Sequence, residues 1–148
     1  MRTLLVSRGA RLLGSSFLLS VMLTTGAAEG APANDAFLGD WDGTSSCVDK
    51  VKFPACKDEI VVYHVVASPA GDSHATMTAD KIVDGKALNM GTLEFQFDSN
   101  LKAWTSELKN PNGSALWSFR VTGSELSGTL AHLPSNDLIR KVTAKKRR

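Results

Sequence analysis

The feature that most constrains this chain is a series of short β-prone runs that recur about every ten residues between Gly39 and Ala144. Gly, Pro, Asn and Asp residues separate the runs and supply the conformations that tight turns require. Connections this short join only antiparallel neighbours, because a parallel crossover needs about a dozen residues or more. The spacing therefore predicts eight antiparallel strands in an up-and-down meander. The predicted strands are Gly39–Cys47, Asp58–Ala67, His74–Val83, Leu88–Asp98, Leu101–Leu108, Ala115–Val121, Glu125–Ala131 and Leu138–Ala144.

Strict alternation of apolar and polar residues is clearest in two of these runs. Leu93, Phe95 and Phe97 alternate with polar residues, and so do Trp117 and Phe119. One face of the sheet is therefore apolar and must be covered. An eight-stranded meander can cover that face by closing on itself, which also removes unpaired strand edges. We therefore expect an all-β, antiparallel up-and-down β-barrel, with a two-sheet sandwich as the structural alternative.

Residues 1–28 have the pattern of a cleaved signal peptide. Arg2, Arg8 and Arg11 form a basic start, and the apolar run Leu12–Leu23 follows. This run is shorter than the roughly 20 residues that span a bilayer, and small residues up to Ala28 suit a signal peptidase. We expect an exported protein, periplasmic or secreted, whose mature chain has no transmembrane segment.

Removal of the leader changes the charge balance of the chain. Three of the 17 basic residues leave with it, so 14 bases face 15 acids. Nucleic acid is not predicted as a partner. The last four residues, 145–148, are all basic and are predicted to be a solvated tail, with a contact for anionic lipid or another acidic surface as the alternative. Residues 29–36 are predicted to be a linker or a single turn, and residues 37–144 the barrel domain.

The two cysteines, Cys47 and Cys56, are nine positions apart. In an oxidising compartment such a pair indicates a disulfide, which on the chain-entropy model contributes roughly 2–3 kcal/mol. The alternative is two buried thiols. Because no Cys-x-x-Cys is present, neither a thioredoxin-like redox site nor a cysteine-based zinc site is indicated.

The motif Gly39-Asp40-Trp41, with Phe37 just before it, resembles the start of the first strand in the lipocalins and the wider calycin group. The resemblance implies a barrel that is closed at one end by Trp41. It also implies that a basic residue of the last strand crosses the Trp ring, and Arg140 is the residue expected to do so. A cation–π contact of this kind contributes about 0.5–2 kcal/mol.

No catalytic motif stands out, so the sequence predicts a protein that is not an enzyme and has no cofactor. There is no Gly-x-Ser-x-Gly elbow, no phosphate-binding glycine loop and no His-Glu-x-x-His. His64 and His74 flank a predicted hairpin and are the best metal candidates, with Asp72 or His132 as a third ligand. Two imidazoles do not complete a zinc site, so no metal is predicted.

The remaining aromatic residues either fill the barrel or line a pocket, since eight strands lie at the boundary between these outcomes. The short strands and large rings favour a filled interior. A pocket would admit a small apolar ligand, and its expected lining residues are Phe95, Phe97, Trp104, Trp117 and Phe119.

Two functions are compatible with these features. The first is an exported, non-enzymatic barrel that binds a small hydrophobic molecule, which enters opposite Trp41. The second is a protein–protein interaction module, because the chain also resembles the periplasmic inhibitors of bacterial metalloproteases. That resemblance implies a role for the residues before Phe37 and another exported protein as the partner. The chain lacks the Ser-Ser start of those inhibitors.

Overall fold

The computed structural model describes residues 34–111 and 113–148 and consists of a closed barrel of eight antiparallel strands, preceded by one helical turn. The elements are α1 (Asn34–Phe37), β1 (Gly39–Cys47), β2 (Glu59–Ala67), β3 (His74–Val83), β4 (Lys86–Asp98), β5 (Ala103–Asn110), β6 (Gly113–Thr122), β7 (Glu125–Leu133) and β8 (Asp137–Lys146). The predicted meander and its closure are confirmed, and the sandwich alternative is wrong. The predicted strand ends are correct to within about two residues.

The barrel closes because β1 pairs with both β2 and β8. Since each strand runs against its neighbour, α1, the start of β1 and the end of β8 lie at the same end. We call this the closed end. The β1–β2 loop and the β3–β4 turn lie at the other end, which we call the open end.

The closed end is filled by aromatic side chains. Phe37 and Trp41 are fully buried. The ring of Phe37 stacks on Trp104, with ring centroids 4.7 Å apart, and meets Phe95 edge-on at 6.1 Å. The indole Nε1 of Trp41 donates a hydrogen bond to the Phe37 carbonyl oxygen at 2.9 Å. Phe37, which precedes β1, is thereby part of the core, and the Trp41 donor is satisfied although it is buried.

Two glycines allow close approach inside the wall. A Cβ on Gly43 would overlap the backbone of Thr143 and Ala144 on β8, and a Cβ on Gly128 would overlap the ring of Phe119. Protein interiors are close-packed, so neither position has room for a larger residue. Gly43 allows the first and last strands to meet, and Gly128 allows a large ring to cross the interior.

The predicted basic tail is wrong, because β8 continues to Lys146. Arg147 also contacts the barrel: its guanidinium donates hydrogen bonds to the carboxylate of Asp42 and lies 3.4 Å from Asp40 Oδ2. This pairing holds the pKa of Asp42 below its usual value. The charges that suggested a solvated end instead attach β8 to β1.

Residues 34–36 of the predicted linker belong to α1, a single helical turn, and its residues 29–33 lie outside the described residues. The predicted signal peptide, residues 1–28, lies outside the described residues. Within the described residues, no helix has the length and apolar character needed to cross a membrane.

The predicted disulfide is confirmed. Cys47 and Cys56 are joined, with their Cα atoms 5.9 Å apart. The bond closes the loop between β1 and β2 at the open end, and Asp58 supports the loop by accepting a hydrogen bond from the Cys47 amide at 2.8 Å.

Candidate functional site

The barrel wall is incomplete between β4 and β5. These strands form only three residue pairs, from Gln96 with Thr105 to Asp98 with Ala103, all near the closed end. A β-bulge at Met90 bends β4, and Gly91 adopts the positive φ of +123° that this bend requires. The two strands therefore separate towards the open end of the barrel.

A cavity of about 360 Å³ lies behind this separation. Met90 is 41% exposed and Leu93 and Leu108 are half-buried, so the cavity reaches the surface through the wall. The opening lies in the side of the barrel, and ligand entry at the mouth opposite Trp41 stays a prediction. The lining residues are mostly apolar: Tyr63, Met77, Ala79, Met90, Gly91, Thr92, Leu93, Phe95, Leu108, Trp117 and Phe119.

Three of the five predicted lining residues lie on the cavity wall. Phe95 and Phe119 meet edge-on at 5.5 Å and form its floor, and Trp117 stacks on Phe119 at 5.4 Å. The prediction was wrong for Phe97 and Trp104, which meet each other at 5.4 Å, with Trp104 stacked on Phe37 at the closed end. The interior is therefore filled at one end and hollow beside it, so the filled interior that the ring sizes favoured is correct for only part of the barrel.

A polar cluster lies inside the barrel at the open end. The Arg140 guanidinium lies 2.9 Å from Glu59 Oε2, and it donates hydrogen bonds at 2.7 Å to Ser45 Oγ and to the Lys57 carbonyl oxygen. The side chains of Arg140 and Glu59 are only 14% and 19% exposed. The cluster adjoins the cavity through Tyr63, which lines the cavity and is hydrogen-bonded to Ser45. Burial raises the pKa of Tyr63 to about 12.

The expected contact between Arg140 and Trp41 is wrong. Arg140 opposes Cys47, whereas Trp41 opposes Lys146, whose Nζ lies 5.3 Å from the indole centroid. Because β1 and β8 are antiparallel, a residue that crosses Trp41 must come from the last residues of β8. Arg140 is six positions earlier, roughly 20 Å along the strand. Lys146 is therefore the basic residue at the closed end, and Gly39 allows its approach, since Lys146 Cε would lie 3.1 Å from a Cβ there.

The predicted approach of His64 and His74 is also wrong. His64 opposes Thr78, which places His74 four positions away, roughly 13 Å along β3. The His64 ring lies on the outer face between Asp40, at 2.8 Å, and Asp80, at 3.4 Å. Across residues 34–111 and 113–148, no group of three or more His, Cys, Asp or Glu side chains has the geometry of a metal site.

The sequence pattern predicted only aromatic lining residues from strands with clear alternation, so the other lining residues were missed. Met77, Ala79, Met90 and Leu108 complete the wall. The one available signal was Asn89-Met90-Gly91, because a glycine inside a strand pattern often indicates a bulge.

No protein-family model matches this chain, and no curated protein matches it. Solved structures do share its architecture. One is a de novo designed fluorescence-activating β-barrel, at 12% identity and a TM-score of 0.53, covering 80% of this chain and all of that one. Another is fatty-acid-binding protein 1 of Echinococcus granulosus, at 14% identity and a TM-score of 0.51, covering 77% of this chain and 99% of that one. The likeness concerns the fold alone, which is a closed up-and-down barrel of eight antiparallel strands.

Proposed function

We propose that this chain is an exported, non-enzymatic barrel that binds a small hydrophobic molecule in its interior cavity. The observation that carries the proposal is the cavity of about 360 Å³ behind the β4–β5 separation. Small-molecule sites are typically concave, mostly apolar and roughly 300–1,000 Å³ in volume. The solved structures of similar fold include a fatty-acid-binding protein, which supports the same class of function.

The cavity also has the chemical character of a ligand site. Phe95, Trp117 and Phe119 offer aromatic faces, and Met77 and Met90 add flexible thioethers that adapt to different shapes. In such a pocket, burial of apolar ligand surface supplies the binding free energy at roughly 25 cal/mol per Å². The separation between β4 and β5 gives the ligand a path that leaves the closed end intact.

The test is binding of an apolar fluorophore, N-phenyl-1-naphthylamine, to the mature protein. Trp117 lines the cavity, so bound probe should quench tryptophan emission as its own emission rises. The Ala79→Phe variant fills the cavity and should weaken binding at least tenfold. Ala87→Phe is the matched control, because Ala87 is exposed and lies on the outer face, opposite Ile82. If no probe in an apolar panel binds below about 100 μM, roughly 5.5 kcal/mol, the proposal fails.

Export is part of the proposal and is supported by the basic, apolar and small-residue order of residues 1–28. The Cys47–Cys56 disulfide supports it further, because disulfides persist mainly in oxidising compartments. Expression in a bacterial host with a periplasm should release a chain that begins at Glu29, as intact mass will show. Retention of residues 1–28 in an uncleaved cytosolic protein would contradict export.

The protease-inhibitor alternative stays a prediction, and the fold sharpens its test. Residues 34–37 contribute to the closed end, because Lys146 Nζ donates to the Asp35 and Ala36 carbonyl oxygens at 3.2 Å and Phe37 is buried. Deletion of residues 29–36 would therefore also damage the barrel. Deletion of residues 29–33 keeps Asp35, Ala36 and Phe37 in the chain, and it should abolish inhibition while leaving fluorophore binding unchanged.

A further inference from the structure

Among the described residues, the cavity wall holds no group that is charged at neutral pH. Tyr63 is the one titratable residue among the described lining residues. Burial raises the pKa of the Tyr63 phenol to about 12. The Tyr63 hydroxyl is already hydrogen-bonded to Ser45, which is itself 2% exposed. The wall therefore offers a ligand apolar contact and little else.

The interior cation that lies near Tyr63, Arg140, is already neutralised by Glu59. Glu59 Oε2 lies 2.9 Å from its Nη1, and the same nitrogen donates to Ser45 Oγ at 2.7 Å. Its Nη2 donates to the Lys57 carbonyl oxygen at 2.7 Å. The side chains of Arg140 and Glu59 are both largely buried. At such a site, a hydrogen-bonded opposite charge is a strong partner for the guanidinium. An anion entering the cavity would have to displace Glu59 to reach Arg140.

A second cation, Lys81, belongs to the rim. It follows Ala79 by two positions on β3, towards the open end, and opposes Leu88. It is half-buried and does not line the cavity. An anionic head group bound in the cavity would thus lose its hydration and gain no cation from the lining residues described above. Burial of an unpaired charge is strongly unfavourable.

From this arrangement we infer that the cavity selects uncharged apolar molecules and rejects organic anions, including long-chain carboxylates. The inference rests on the proposed function and adds the ligand class to it. Glu59 is the residue that sets this selectivity, because it holds the Arg140 charge away from the ligand.

The first test needs no variant. Decanol and decanoate have the same chain length and differ in the charged head, and each is used at pH 8 to displace N-phenyl-1-naphthylamine. Decanol should bind at least tenfold more tightly than decanoate. Equal binding, or tighter decanoate binding, would overturn the inference while leaving the proposed function standing. Failure of the fluorophore itself to bind would instead reject the proposed function.

The second test changes the neutralising residue. Glu59→Gln leaves the Arg140 charge uncompensated, so decanoate affinity relative to decanol should rise at least tenfold. Glu107→Gln is the matched control, because Glu107 lies on the outer face of β5, 3.5 Å from Lys109, and should change nothing. Lys81→Met should leave the ratio of the two affinities unchanged. An unaltered ratio in folded Glu59→Gln, or a loss of anion rejection in Lys81→Met, would contradict the assignment.

A third variant covers the case in which Glu59→Gln does not fold. Replacement of both Glu59 and Arg140 by Met removes the pair together, and buried ion pairs often tolerate such exchange for apolar residues. The double variant should keep the preference for decanol, since its wall is still uncharged. A double variant that binds both probes equally would show that the missing charge is not the cause of the selectivity.

Discussion

The closed end and the cavity side of this barrel are built from the same strands, yet one is packed solid and the other is hollow. At the closed end, Phe37, Trp41 and Trp104 interdigitate with almost no exposure. On the cavity side, small or flexible residues such as Ala79 and Met90 take the inward positions, and the wall opens beside them. The difference shows that strand number alone does not decide whether an eight-stranded barrel has a pocket. The size of each inward side chain and the continuity of strand pairing decide it.

Two tryptophans in different settings should show the difference between the closed end and the cavity side most strongly. Trp41→Ala should lower the free energy of unfolding by about 3–5 kcal/mol, because it truncates a fully buried ring. Trp117→Ala should cost only about 1–2 kcal/mol, because that ring is half-buried and faces the cavity. Urea denaturation of both variants measures the difference. Equal losses would mean that the two regions are packed alike.

A smaller effect is expected where the filled region meets the cavity floor. Gly128→Ala places a Cβ against the ring of Phe119 and should destabilise the barrel by about 2–3 kcal/mol through overpacking. Phe119→Leu should recover part of this loss, because the shorter side chain leaves room for the methyl group. Simple additivity of the two changes in a double-mutant cycle would contradict direct contact.

The ionisation of Tyr63 tests whether its surroundings are dry. Tyr63 is the only tyrosine in the chain, so phenolate absorbance reports this group alone, and it should appear near pH 12. Because the folded-state pKa is above the unfolded value of about 10, the stabilising contribution is complete below pH 10. It is lost as pH rises through 12, by on the order of 2 kcal/mol. Phenolate formation near pH 10 in the folded protein would indicate a wet cavity wall.

The smallest effect concerns the basic residue at the closed end. Lys146→Met keeps most of the side-chain stem and removes the charge over Trp41, so it should cost about 1 kcal/mol. Lys145→Met, one position away on the exposed face, is the control and should cost less than about 0.5 kcal/mol. In double-mutant cycles with Trp41→Phe, the losses of unfolding free energy should be non-additive for a substitution at Lys146 and additive for one at Arg140. Non-additivity with Arg140 alone would support a contact between Arg140 and Trp41, which the register of β1 and β8 excludes.

The fold was largely predictable because it depends on local signals. Turn residues such as Asp84-Gly85 fix the ends of the strands, and both adopt positive φ as a tight hairpin requires. The alternation around Phe95 and Phe119 identifies the inner face. The disulfide was predicted from two cysteines nine positions apart and from the expectation of an oxidising compartment. None of these inferences requires knowledge of which strand residues face each other.

The errors at the candidate site depend on register and on depth along the barrel. Arg140 has the correct strand and the correct face for a contact with Trp41, but it lies at the wrong end, and only the pairing of Trp41 with Lys146 shows this. His64 and His74 fail for the same reason. Phe97 and Trp104 face inward as expected, but alternation gives the face of a residue and not its depth along the barrel. The cavity itself arises from lost pairing between β4 and β5, which no residue pattern in β5 reveals.

The short pairing between β4 and β5 leaves two unpaired backbone edges within a barrel that is otherwise closed. Such edges are templates for a strand from another molecule. Their amides should exchange with deuterium much faster than those of the fully paired β6 and β7. Glu107 and Lys109 place opposite charges on β5 along this stretch, and charged side chains oppose edge-to-edge assembly. The gap that opens the cavity to the surface therefore also carries an aggregation risk.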